Sequence, residues 1–182
     1  MSALIPPLAG ASLRRRRERG VTLVEALVAL LVLSVGMLGI AALFVSSLRF
    51  NRTALLRTQA INLVSDMADR IRANASAGPA YDLASYGAAP AARDCAPEPG
   101  TAGANCSIVE LAEDDLARWI AAVEAALPRP GDGGPATDVE YTPGVGGAPD
   151  RYAVLVRWQE PGEDLPFSYR SEVLIMPRAP LT

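Results

Sequence analysis

The spacing of hydrophobic and polar positions changes several times along this chain. Residues 26–48 carry no charge and no proline, a length that matches the roughly 20 apolar residues needed to cross a hydrocarbon core as an α-helix. Beyond them the apolar positions thin to a stripe. Leu56, Ala60, Leu63, Met67 and Ile71 recur at three- and four-residue steps, while Arg57, Gln59, Asp66 and Arg70 face elsewhere, the pattern of an amphipathic helix. Nothing interrupts the helix between the two stretches, so they are expected to form one rod from Thr22 to Ser76, roughly 80 Å long. Its second half then lies beyond the membrane and needs a partner for its apolar face. Gly78-Pro79 supplies the stop.

Residues 78–104 are rich in Ala, Gly, Pro and Ser and show no periodicity, which predicts an irregular loop. Leu111, Leu116, Ile120, Val123 and Leu127 mark a short helix over about 111–127, ended by Pro128-Arg129-Pro130. Glu113, Asp114 and Asp115 are read as acids at its N-terminus, favoured there by the helix dipole, rather than as a metal or catalytic cluster. The C-terminal third alternates as strands do. A short strand is expected over 137–141, a second around Tyr152, Val154, Val156 and Trp158, and a third from Phe167 to about Met176, with Arg157 and Glu172 pairing across the last hairpin. The fold class is therefore α+β: a long N-terminal helical spine packed on a small antiparallel sheet at about 137–176.

Composition narrows the function. The 182 residues are half hydrophobic, with a net charge of −3. Residues 1–20 hold five arginines and one glutamate, which leaves −7 for the remainder and argues against a basic nucleic-acid surface. The chain has no histidine, so the commonest general base and every Ser-His-Asp arrangement are missing. No Walker-type phosphate loop is present. Gly131-Asp132-Gly133-Gly134 reads as a turn, since a calcium loop needs more oxygen ligands at alternating positions. No catalytic residue, cofactor or metal is expected, and no enzyme. Three Asn-x-Ser/Thr sequons, at Asn51, Asn74 and Asn105, are treated as chance matches. Cys95 and Cys106 lie close together; in an extracytoplasmic domain they can form a disulfide, worth about 3 kcal/mol in the chain-entropy model, the alternative being two unpaired thiols.

The most specific signal is the junction Arg14-Arg15-Arg16-Arg17-Glu18-Arg19-Gly20-Val21-Thr22-Leu23-Val24-Glu25. Basic residues run straight into the apolar helix, and one carboxylate sits just inside it. An ordinary secretory signal has a shorter apolar core, roughly 7–15 residues, with its cleavage site on the far side. Glu25 has two readings that do not exclude one another. Thr22-Leu23-Val24-Glu25 fits a capping box, and a carboxylate at membrane depth is costly enough that such residues are usually paired and functional. The leader arginines favour a cytoplasmic N-terminus, opposed in part by Arg49, Arg52 and Arg57 on the other flank.

This junction resembles the class III signal of type IV pilins and pseudopilins. The resemblance implies a leader, 1–20, removed by a prepilin peptidase after Gly20, and a new, N-methylated terminus at Val21. Glu25 then becomes the fifth mature residue, in place to meet the terminal amine of a neighbouring subunit. Valine stands where the family most often has phenylalanine. The implied organisation is an N-terminal helix over 21–77, membrane-spanning in 21–48 and amphipathic in 49–77, followed by a globular periplasmic domain over 78–182. Within the family the chain is most similar to minor pilins of the PilV type, on the Val21 to Leu30 opening, Asp115-Leu116-Ala117-Arg118-Trp119, Ala126-Leu127-Pro128 and Val156-Arg157-Trp158. The implied partners are the prepilin peptidase, other minor and major pilins and the inner membrane, with the pilus fibre as destination. A minor pseudopilin of a type II secretion system shares this helix physics. A signal-anchored periplasmic binding module or enzyme is the alternative of another class, and it expects an uncut N-terminus.

Overall fold

The computed structural model describes residues 20–95 and 105–176; residues 1–19, 96–104 and 177–182 lie outside it. Helix α1 runs unbroken over Leu23–Ala73. The chain divides into two compact units, Met1–Ser46 and Ser47–Thr182. In the first, the described residues are helical from Leu23 onward and exposed all round. This segment belongs to the one helix among the described residues that is long and apolar enough to cross a membrane, with a mean hydropathy of 2.7 over its apolar window.

The second unit holds a single core. From α1 it takes Leu56, Ala60, Val64, Met67, Ala68 and Ile71, all buried. Leu63 is only partly buried; its neighbour Val64 takes the inward position, a shift along the stripe that the mixture of three- and four-residue steps left open. Helix α1 ends at Ala73, and Gly78 marks the break with φ 55° and ψ −123°, a backbone state that strains any residue with a Cβ. The end of the expected rod and the stretch expected to be irregular carry two short 3-10 turns, Ala75–Tyr81 and Leu83–Ser85. Tertiary partners hold them: the Tyr152 hydroxyl donates to the Gly78 carbonyl at 3.3 Å, and the Tyr81 ring packs edge-on to Tyr152 with centroids 6.4 Å apart.

Helix α2 spans Ile108–Ala126, starting three residues earlier than the apolar spacing indicates. Ser107 and Glu110 form the reason, a reciprocal capping box that satisfies two orphan N–H groups. Its Ala112, Leu116, Trp119 and Val123 are buried. Trp119 is completely enclosed, and its indole N–H donates to the Leu63 carbonyl of α1 at 2.8 Å, so this large apolar side chain keeps no unpaired polar atom. The sheet has the order β1-β2-β3, with β1 Thr137–Thr142, β2 Asp150–Trp158 and β3 Phe167–Ile175, all neighbours antiparallel. Tyr152, Val154, Val156 and Trp158 of β2 face the core with Val139 and Val173. The architecture is the α+β, pilin-like one.

The hairpin register differs from expectation. Arg157 lies opposite Ser168 and Glu172 opposite Ala153, so the two cannot meet. Arg157 instead pairs with Asp132, and Glu172 lies 4.0 Å from Arg151.

Candidate functional site

Gly20 and Val21 precede the helix and are exposed. A Cβ added at Gly20 would meet no described atom within 4 Å. Neither packing nor backbone conformation of the described chain therefore demands glycine there. Thr22 starts the helix by accepting the Glu25 N–H on its hydroxyl at 3.2 Å, half of the capping pattern. Glu25 lies in the first turn of α1, and no further acid or base follows until Arg49. Gly36 and Gly39 likewise have nothing within 4 Å of a built Cβ. Glycine costs a helix interior about 1 kcal/mol relative to alanine, and no contact within the described chain explains it.

A second constellation mounts the cysteine loop. Cys95 and Cys106 are joined by a disulfide with Cα atoms 5.7 Å apart. The acidic triplet does not cap α2, contrary to expectation, because the earlier start leaves it in the second turn. All three acids are used as acceptors. Asp114, completely buried, accepts the main-chain N–H of Arg93 at 2.7 Å and of Cys95 at 3.2 Å, together with Arg118 Nε at 2.9 Å. Glu113 accepts Arg93 Nε at 2.5 Å. Asp115 accepts the Tyr81 hydroxyl at 2.7 Å and Arg70 Nη1 at 3.0 Å, linking α2 to α1.

Electrostatics follow from this wiring. Burial pushes the Asp114 carboxyl up, but the Arg93 N–H, the Arg118 guanidinium and the Cys95 N–H together hold it below the usual carboxylate range. Burial, reinforced by Asp115, raises the Tyr81 phenol well above its ordinary value, and burial pushes Tyr152 up to about 12. These are structural acids and phenols with satisfied bonds; no buried side-chain polar atom lacks a partner among the described residues. No group of three metal-ligating side chains occurs among them either. Asn74 is buried, and its amide donates to the Ile108 carbonyl at 2.7 Å, which removes it as a glycosylation acceptor.

Sequence reasoning singled out Gly20, Val21 and Glu25 and anticipated the Cys95–Cys106 disulfide, but missed Arg93 and the roles of Asp114 and Asp115. The signal that would have found them is Ser107-Ile108-Val109-Glu110, a capping box that fixes the helix start and moves the acids off the terminus.

A family model for the prokaryotic N-terminal methylation motif matches residues 15–41, the junction and most of the exposed half of α1. A second, for the type IV pilin Tt1218, matches residues 42–117, from the rest of α1 through the cysteine loop into α2. No curated protein and no solved structure matches the chain. The two family models adjoin at residues 41 and 42, over the junction, the spine and the disulfide-bearing loop, and together they support a type IV pilin.

Proposed function

We propose that this chain is a minor pilin of the PilV type that contributes to initiating type IV pilus assembly and thereby to twitching motility and adhesion. A prepilin peptidase cuts after Gly20 and leaves Val21 as a methylated terminus. The observation that carries this is the isolated carboxylate of Glu25 in the first turn of a helix half that is otherwise uncharged and exposed on every side. Such a surface is stable only in lipid or against other apolar helices. Cleavage supplies a cation at Val21, and in a bundle the amine of one subunit compensates Glu25 of the next. Both charges are then paired where an unpaired one is disfavoured by a few kcal/mol. That no contact among the described residues asks for glycine at position 20 supports a requirement set from outside, by the peptidase. The globular unit, with its disulfide-bearing loop mounted on α2, is the part left to face solvent and other subunits.

The test has two substitutions. Gly20→Leu leaves an uncut protein in the membrane, seen as the full-length band when the peptidase is present. Glu25→Ala is inserted and cut but is depleted from sheared fibres. Normal processing of the first, or fibres of normal number and content with the second, contradicts the corresponding step. Deletion that stops protein export but leaves pili intact reassigns the chain to a secretion pseudopilus.

A further inference from the structure

Every basic residue of this chain is an arginine; the sequence contains no lysine. From Arg57 to Arg170, each described arginine makes at least one ion pair with a carboxylate. Among the described residues, Arg49 and Arg52 alone make none. Both are exposed, and a spacing of three puts them on one side of α1. Nothing nearby along the helix answers them, because no aspartate or glutamate occurs between Glu25 and Asp66. Arg57, one turn further, is taken by Glu160 at 2.9 Å and lies 4.7 Å from the centroid of the Phe167 ring.

Their position along the helix names the partner. Residues 26–48 extend about 35 Å as α-helix against a hydrocarbon core of about 30 Å. Arg49 and Arg52 follow at once, at the depth of the headgroups on the side opposite the leader. Retaining two arginines on that flank runs against the charge bias that orients a span, so an anionic partner there offsets the cost. A guanidinium suits a phosphate geometrically, with two parallel N–H donors per contact.

We propose that Arg49 and Arg52 form a clamp for the phosphates of anionic phospholipids, holding the subunit at a set depth until it is drawn into a fibre. The inference rests on the membrane-anchored reading of α1. An arginine near an anionic surface gains roughly fivefold in association.

The full-length chain is reconstituted into phosphatidylcholine vesicles carrying trace spin-labelled phosphatidylglycerol or phosphatidylcholine, and the motionally restricted fraction of each label is measured. The native chain favours phosphatidylglycerol, and R49Q/R52Q lowers that preference by about fivefold for each arginine removed, whereas R49K/R52K keeps most of it. The leader arginines are present in every version, so the difference between versions reports this pair. Inorganic phosphate in the buffer, compared with chloride at equal ionic strength, leaves the preference of the native chain unchanged. Equal preference in the native and R49Q/R52Q proteins overturns the inference; if that variant is also depleted from fibres, the acceptor is a neighbouring subunit's carboxylate. Displacement by inorganic phosphate also overturns it, in favour of a free anion. A chain stripped from the vesicles by alkaline extraction overturns the membrane reading itself, whereas an inserted chain with no lipid preference overturns only the clamp.

Discussion

Asp114→Asn replaces one carboxylate oxygen by an amide NH2 in a site that contains only donors. Asp114 receives two main-chain N–H groups and one guanidinium N–H over its two oxygens. The amide therefore satisfies at most one side and points hydrogens at the other. Leaving one buried N–H without an acceptor costs about 1–3 kcal/mol, and converting the remaining charge-assisted bonds to neutral ones costs about 1 kcal/mol more. The Arg118 side chain is 36% exposed and recovers water, so its loss is counted lightly. The sum is about 3 kcal/mol, which for a unit of this size lowers the melting temperature by roughly 10 °C. Thermal unfolding of the full chain in detergent, followed by the fluorescence of the buried Trp119 and Trp158, measures it. Asp94→Asn is the control, since that side chain is 95% exposed, and it should change stability by less than about 0.5 kcal/mol. If the two substitutions have equal effects, Asp114 does not hold the cysteine loop on α2.

Other substitutions probe the joints between α1 and the rest of its unit. Arg57→Ala leaves the Glu160 carboxylate, 3% exposed, with only the Trp158 indole N–H at 3.3 Å; a loss of about 2 kcal/mol is expected in denaturant titration, discounted from the buried-pair range because Arg57 is half exposed. Trp119→Phe removes the bond to the Leu63 carbonyl and should cost about 1 kcal/mol, whereas Trp119→Ala should cost about 3–5 kcal/mol. The pH dependence has a definite sign at each end. Tyr81 and Tyr152 are raised in the fold, so their contribution is complete below the ordinary phenol value near 10 and is lost as pH climbs toward 12 and beyond. Asp114 is lowered, so its contribution is complete above the ordinary carboxylate value near 4 and fades as the solution becomes more acidic. Unfolding midpoints measured across pH should fall at both ends, with the acid arm reduced in Asp114→Asn.

The long helix and the central strand were legible because their signals are local. Residues 26–48 exclude charge over a full membrane length, and Tyr152, Val154, Val156 and Trp158 alternate cleanly. The 3-10 turns were not legible, because they depend on the Tyr81 and Tyr152 side chains reaching across the fold. The acidic triplet was misread for a related reason. Three adjacent acids look alike in sequence, and only the true start of α2 at Ile108 separates an N-terminal cluster from a set of acceptors, of which Asp114 and Asp115 are buried. The Arg157 and Glu172 pairing failed on register, which the loop between β2 and β3 sets and which composition does not reveal. For Glu25 the difficulty is of another kind. Its proposed partner belongs to a different subunit, so the geometry within one chain shows the isolated charge and not what answers it.

That charge pairing depends on a terminus that exists only after cleavage. Intact-mass measurement with N-terminal sequencing of the native protein from membranes and sheared fibres tests it most directly. The account predicts a chain beginning at Val21, heavier by one methyl group. A native protein that still carries the Arg-rich leader in cells bearing working pili would contradict it.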